Sequence, residues 1–350
     1  MLSRVAESLY WMGRYIERAE NIARILDVNL QVTLDTEVSG DESEARAWQP
    51  IIATFEDQKL FDSLYAVTNG DAVCEFVTFA KENPNSIFSC VSSARENART
   101  VREYISSEMW ERINGLYLWV RSVEARDQQA NSGIDFYRQV VDFAHQFHGT
   151  TDSTLNRGEG WNFLQFGKFI ERADSTSRIL DLKYHILLPK GEQVGGNIDI
   201  IQWQAVLKSC SAFEAFRKAR TAQVTPSNVS EFIILDGAFP RSIRFCVNAM
   251  DEALHSISGC SRAHYSNESE RLAGRLVSDL TYSRITDIIQ QGLHEYLEQI
   301  QVRLFQIGNA LQTQYCEWIE PKIGETAETR NEAGSQVQTT ERMTQRQSAG

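Results

Sequence analysis

The chain has 350 residues, of which 42% are hydrophobic, 10% aromatic and 23% charged. A chain of this length buries about three-quarters of its unfolded surface, and its composition excludes a wholly disordered polypeptide, a collagen and a disulfide mini-protein. With 35 Lys plus Arg against 47 Asp plus Glu, the net charge is −12, a field that repels nucleic acid and anionic membranes, so neither is expected as a partner.

The first predicted helix covers about 2–34. Arg4, Glu7, Arg14, Glu17, Arg18 and Glu20 break the apolar core that a secretory signal needs. No run of about eighteen apolar residues is present to span a bilayer, and the expected location is cytoplasmic. A loop holding Gly40, Asp41, Glu42 and Glu44 follows, then predicted helices near 51–67 and 71–82. Asn83-Pro84-Asn85-Ser86 stops the second of these and caps the next, near 86–105. Ser106-Ser107 opens one running to about 126, and further helices are expected near 134–148, 159–187, 199–222, 228–235, 240–258 and 268–319. All six prolines read as punctuation between these segments, and no segment shows sustained strand alternation. The fold class is therefore all-α: a helical bundle over 1–318, built from two internally repeated halves (about 1–150 and 151–318), with a disordered tail at 319–350. Positions 321–350 hold no Phe, Trp or Tyr, too little apolar area to offset the entropy of ordering. The six cysteines form no Cys-x-x-Cys pair and read as reduced.

The repeat is the most informative feature. Gly13-Arg14-Tyr15-Ile16-Glu17-Arg18-Ala19-Glu20 through Val28 recurs 154 residues later as Gly167-Lys168-Phe169-Ile170-Glu171-Arg172-Ala173-Asp174 through Leu182, with nine of sixteen positions identical. At about 100° per residue, Tyr15, Ala19, Ile22 and Leu26 share an apolar stripe. Glu17, Glu20 and Arg24 fall on the opposite, polar face, with Glu20 and Arg24 placed as a surface pair. Arg18 and Arg172 are anomalies at the edge of the apolar arc. Each needs a carboxylate, carbonyls or an anionic ligand there, so either a structural arginine paired inside the bundle or a ligand-facing arginine fits. Glu17 and Glu171 fit a solvated face or a site role.

At these residues the chain resembles the bacterial alpha-E family, named for its helical content and Glu-Arg motif. The match starts with Leu2-Ser3-Arg4-Val5-Ala6-Glu7-Ser8-Leu9-Tyr10-Trp11-Met12-Gly13 and runs on through Glu17-Arg18. Ser93-Ala94-Arg95-Glu96-Asn97-Ala98-Arg99, Met109-Trp110-Glu111-Arg112, the second Glu-Arg copy, Trp203-Gln204-Ala205, Glu214-Ala215-Phe216-Arg217 and Phe239-Pro240-Arg241-Ser242-Ile243-Arg244 continue it. The resemblance implies a partner of a circularly permuted ATP-grasp protein, with a transglutaminase-like peptidase as a possible further neighbour. It implies a component of a peptide- or amide-bond-forming system that binds an amine or carboxylate substrate or transfers an activated acyl group. ATP and Mg would sit on the partner, with no cofactor on this chain. Phe216 stands where the family commonly carries tyrosine.

The residues offer candidates for such work. Glu17 and Glu171 are the catalytic candidates, placed to hold or deprotonate an amine. Arg18, Arg172, Arg95 and Arg99, with Asn97 beside them, are candidates for a carboxylate or phosphate. Arg95, Arg99 and Arg102 are spaced to share one helix face. Pro240-Arg241 is expected to open a helix with Arg244 one turn on, an anion-holding arrangement. Asp142, His145 and His148 recur at threes, but no recognised metal motif is present and no metal site is expected. Nucleophile-elbow, P-loop and dinucleotide motifs are absent. Stand-alone enzymatic activity is thus without a motif, and a non-catalytic helical scaffold that docks the same partner is the alternative.

Overall fold

A computed structural model describes residues 1–35, 41–55, 57–185, 196–219 and 223–316. Among the described residues every regular element is a helix. The first eight are α1 (Ser3–Asp35), α2 (Asp41–Thr54), α3 (Gln58–Leu64), α4 (Gly70–Thr78), α5 (Ile87–Thr100), α6 (Ser107–Val120), α7 (Val123–Asn131) and α8 (Gly133–Thr154). The second eight are α9 (Glu159–His185), α10 (Asn197–Ser209), α11 (Phe213–Ala219), α12 (Pro226–Leu235), α13 (Ile243–Ser258), α14 (Glu268–Tyr282), α15 (Ile285–Gln291) and α16 (Leu293–Tyr315). Helix lengths follow the same order in both series, longest first and a second long helix last. Their packing runs in parallel too: α1 lies against α5 and α8, and α9 against α13 and α16. The series also exchange contacts, α2 lying on α9 and α10 on α1. The residues from Met1 to Cys316 form one unit, and the expected tail lies outside the described residues.

At the centre α1 and α9 cross. A Cβ on Gly13 would come 2.4 Å from the Leu164 carbonyl oxygen, and one on Gly167 would come 2.1 Å from that of Tyr10. Both glycines are required by this backbone-to-backbone approach, and both are the first residue of the repeated motif. Because other helices cover them all round, α1 and α9 are buried on more than one stripe. Glu17 and Glu20 have no exposed surface, which corrects the solvated polar face expected from the helical wheel. A wheel sees one helix; here the face opposite Tyr15 is roofed by α8 and by the turn before α13.

Several predicted long helices are broken. The segment from 51 to 67 divides into the end of α2 and α3, that from Ser106 to 126 into α6 and the start of α7, and that from 268 to 319 into α14, α15 and α16. Ser122 caps α7 as Ser106 caps α6, each side chain accepting a backbone N–H. Such a cap leaves the apolar periodicity unbroken, so pattern alone does not show the division. Conversely, α2 starts within the expected loop and contains Pro50, an exception to proline as punctuation. An interior proline costs about 3 kcal/mol; burial of Trp48, Ile51 and Ile52 around it offsets this.

Candidate functional site

The two Glu-Arg motifs meet at the crossing and pair reciprocally. Arg18 donates from Nε to Glu171 Oε1 at 2.6 Å and from Nη2 to Oε2 at 3.0 Å, a bidentate fork. Arg172 does the same to Glu17, with Nε–Oε1 and Nη2–Oε2 both 2.7 Å. Each glutamate thus takes its arginine from the other motif helix. Gly13 and Gly167 bring the backbones together, and one turn later the longer side chains bridge the widening gap.

Around Glu171, Arg14 adds a third donor, Nε–Oε2 at 2.7 Å, and its Nη1 is held by the Tyr10 hydroxyl at 2.9 Å. Arg18 also donates to Asn85 Oδ1 at 2.7 Å. Burial alone would raise the Glu171 carboxyl, but Arg18 and Arg14 outweigh it and hold it at about 2. This node opens onto a cleft of about 120 Å³ between α1 and α9, whose walls include Arg18, Asn21, Asn85, Glu171, Asp174 and Arg178.

Around Glu17 the neighbours differ. Arg241 donates from Nη1 to Glu17 Oε1 and to Asn21 Oδ1, each at 3.0 Å, and from Nη2 to Glu20. Arg24 holds the same Glu20 at 2.7 Å and 3.0 Å. His148 Nε2 stands 3.3 Å from Glu17 and 3.6 Å from Glu20. Burial opposes ionisation of both acids, yet Arg172 and Arg241 at Glu17, and Arg241 with the two histidines at Glu20, hold them well below the usual carboxylate range. Lys168, also buried, has its ammonium destabilised by desolvation and by Arg172.

A Glu-Arg motif is also what a family is described by: the model of Alpha-E, "a predicted alpha-helical domain with a conserved ER motif", matches residues 1–316. The chain belongs to the Alpha-E family. The uncharacterized protein Mb2597 of Mycobacterium bovis is 23% identical over 85% of this chain and 34% of its own length. The uncharacterized protein Rv2567 of Mycobacterium tuberculosis is 22% identical over the same shares. The chain therefore spans about a third of the length of these relatives. No solved structure matches it. No described helix is long and apolar enough to cross a membrane.

The Alpha-E crossing gathers Glu17, Glu171, Arg18, Arg172 and Arg241, and leaves out the other candidates. Arg241 does not open a helix. Ser242 is the N-cap of α13, its hydroxyl accepting the Phe245 N–H, and Arg241 in the turn before it reaches down to α1. Arg244 lies away from that cluster, donating to the Leu235 carbonyl at 3.3 Å. Arg95 packs over the Tyr117 ring at 4.5 Å and donates to Asn114, against α6 rather than at the crossing. Glu96 stands between Arg95 and Arg99 and pairs with both, which relieves the repulsion expected between them. Arg102 lies past the end of α5 and stacks on Trp110 at 5.6 Å, so it does not continue their face. Asn97 is half-buried in the same helix. Sequence reasoning passed over Arg14, Tyr10, Asn85 and Glu20. Asn85 and Arg241 each stand between a proline and a capping serine, and that shared Pro-x-Ser was a usable signal.

Proposed function

We propose that this chain is the substrate-binding component of an ATP-dependent system that forms peptide or amide bonds. It would act beside a circularly permuted ATP-grasp partner that supplies ATP, Mg and the acyl-activating chemistry. The observation that carries the reading is the cleft beside Glu171. Its walls present both signs, Arg18 and Arg178 against Glu171 and Asp174, with the Asn21 and Asn85 amides between them. A ligand bearing an ammonium and a carboxylate finds complements to both ends, and the volume suits a ligand of a few heavy atoms. Glu171, ionised to about pH 2, is a weak base, and Arg18 and Arg14 already fill both its oxygens, so it sets the charge of the cleft while the partly exposed Asp174 meets the ammonium. Glu17 is saturated by Arg172 and Arg241 and serves the geometry of the crossing. The resemblance to alpha-E proteins supports the ligase partner, and with it a transglutaminase-like peptidase as a further one.

A specific observation favours the second reading, a helical scaffold that docks the same partner without binding substrate: both Glu-Arg forks close within the chain. Reconstitution separates the two. The ATP-grasp partner, amino acids and ATP are incubated without the chain, with it, and with Asp174→Asn, whose half-exposed pair with Arg178 contributes under about 1 kcal/mol to stability. The binding reading expects product formation and ADP release to rise with the chain and fall with the variant at unchanged melting temperature. Equal rates with chain and variant leave the scaffold; equal rates without the chain remove both.

A further inference from the structure

The turn between α13 and α14 gathers a second set of chemical groups that shares no residue with the crossing. Gly259 ends α13 at φ 72°, a left-handed conformation that glycine adopts without strain. The turn carries Cys260 back over the last turn of the helix, where its carbonyl lies 3.2 Å from His255 Nδ1. Glu270 opens α14 and folds back to accept the Ser266 N–H at 2.6 Å and the Asn267 amide at 2.9 Å. These bonds fix its carboxylate 3.9 Å from His255 Nδ1. A histidine nitrogen, the Cys260 sulfur and a Glu270 oxygen then lie within 4.8 Å of one another.

An independent observation concerns Asp251. It is 3% exposed, its Oδ1 has no hydrogen-bond partner, and that oxygen stands 3.6 Å from His255 Nε2. Its Oδ2 is held by Arg262 at 2.8 Å. A neutral His255 that donates from Nδ1 to the Cys260 carbonyl would point a bare Nε2 lone pair at this carboxylate. Coordination through Nδ1 reverses the tautomer, and Nε2–H then faces Asp251, the carboxylate–histidine–metal arrangement that orients a ligand ring.

We propose that His255, Cys260 and Glu270 bind a divalent cation of the zinc type, with Asp251 orienting the imidazole. The donor set of one nitrogen, one sulfur and one oxygen suits zinc and not calcium or magnesium. Three protein ligands leave a fourth position for water. Binding releases the Cys260 thiol proton to solvent; the thiolate, Glu270 and Asp251 then balance the cation plus Arg262. The buried Glu17, Glu20 and His148 also converge, but Arg172, Arg241 and Arg24 already exceed their two negative charges, so that cluster repels a cation. Cys260 is half-exposed, which gives an ion a way in.

The test is titration of the full chain, stripped with chelator, by cobalt(II) and then zinc(II). The expected result is one equivalent bound, a thiolate-to-cobalt charge-transfer band that zinc bleaches, and a raised melting temperature. Cys260→Ser should abolish the band in a folded protein, and Asp251→Asn should weaken binding about 10- to 100-fold while keeping it. The proposal is overturned by absence of stoichiometric binding. It is equally overturned by binding that survives Cys260→Ser and is lost in His148→Ala.

Discussion

Glu17 and Glu171 begin as the same residue of the same motif and end in unlike surroundings. Both take a bidentate arginine from the opposite helix. At Glu171 the remaining partners are Arg14 on its own crossing partner and, through Arg18, the neutral Asn85. At Glu17 the position matching Asn85 is Arg241, which enters the interior and brings Glu20 and its partner Arg24 with it. One node is half-open and borders a cleft; the other is closed and carries more charge than two carboxylates can balance. The repeated residues therefore build the crossing, and the residues that differ between the copies decide what each side of it can do.

The largest expected effect comes from breaking the closed node. Arg172→Met leaves Glu17 buried without its bidentate partner, with Arg241, His148 and the Asn21 amide remaining, and removal of one partner of a buried pair costs about 3–5 kcal/mol. Arg18→Met should cost distinctly less, because each glutamate keeps a second arginine but Arg18 is partly solvated where Arg172 is buried. Chemical denaturation of the two variants checks the ratio; equal losses would mean that the nodes are energetically alike. Next comes the close approach that both nodes share. Gly167→Ala sets a Cβ 2.1 Å from a backbone oxygen, which only separation of the helices relieves, at about 3 kcal/mol. Gly149→Ala, on α8 with nothing within 4 Å of its Cβ, should instead gain about 0.5–1 kcal/mol.

The helices that form the crossing were legible because a 3.6-residue period survives in a long segment, and the misplaced polarity of Arg18 and Arg172 was visible on the wheel. Their need for an opposite charge followed from burial alone. Glu17 and Glu20 were not legible as buried, since a polar arc reads as solvent-facing unless the elements that cover it are known. Arg241 was read as a helix start because its tertiary partner lies on α1, far away in sequence. Asn85 and Arg241 differ in type, so no repeat search aligns them by identity; only the proline before each and the capping serine after it match.

Acid should distinguish the nodes by a smaller margin. Glu171 has its folded pKa lowered to about 2 from the ordinary glutamate value of 4.5. Its contribution is thus complete above the unfolded value and is lost as pH falls from there through the folded one. Between about pH 7 and about pH 3 that loss is about 2 kcal/mol. Glu171→Gln should flatten this part of the stability profile, measured by denaturation at each pH. Glu17 is also lowered, by Arg172 and Arg241, and shares neither arginine with Glu171, so removing Glu17 should leave the Glu171 slope in place. If the slope vanishes with Glu17 instead, the two carboxylates titrate as one unit across the crossing.

The smallest effect lies further along the same two helices. Asp27 and Asp181 are again matching residues of the repeat, and again their partners differ: Arg138 of α8 at 3.8 Å for Asp27, His294 of α16 at 2.7 Å for Asp181. The hydrogen bond that His294 donates to Asp181, with that carboxylate's charge, raises the His294 pKa. A histidine whose folded pKa is raised stabilises the fold below its unfolded value, and that stabilisation is lost as pH rises through the folded one. The arginine pair has no such dependence, since arginine stays charged throughout. Because His294 is partly exposed, water and salt screen the pair to about 0.5 kcal/mol or less. His294→Arg should therefore remove a shallow decline in stability above neutral pH and make the second copy behave like the first. NMR titration of His294, against the same titration in Asp181→Asn, reads the shift directly; an unchanged pKa in that variant would assign the perturbation to Glu295 and Glu298 on its own helix instead.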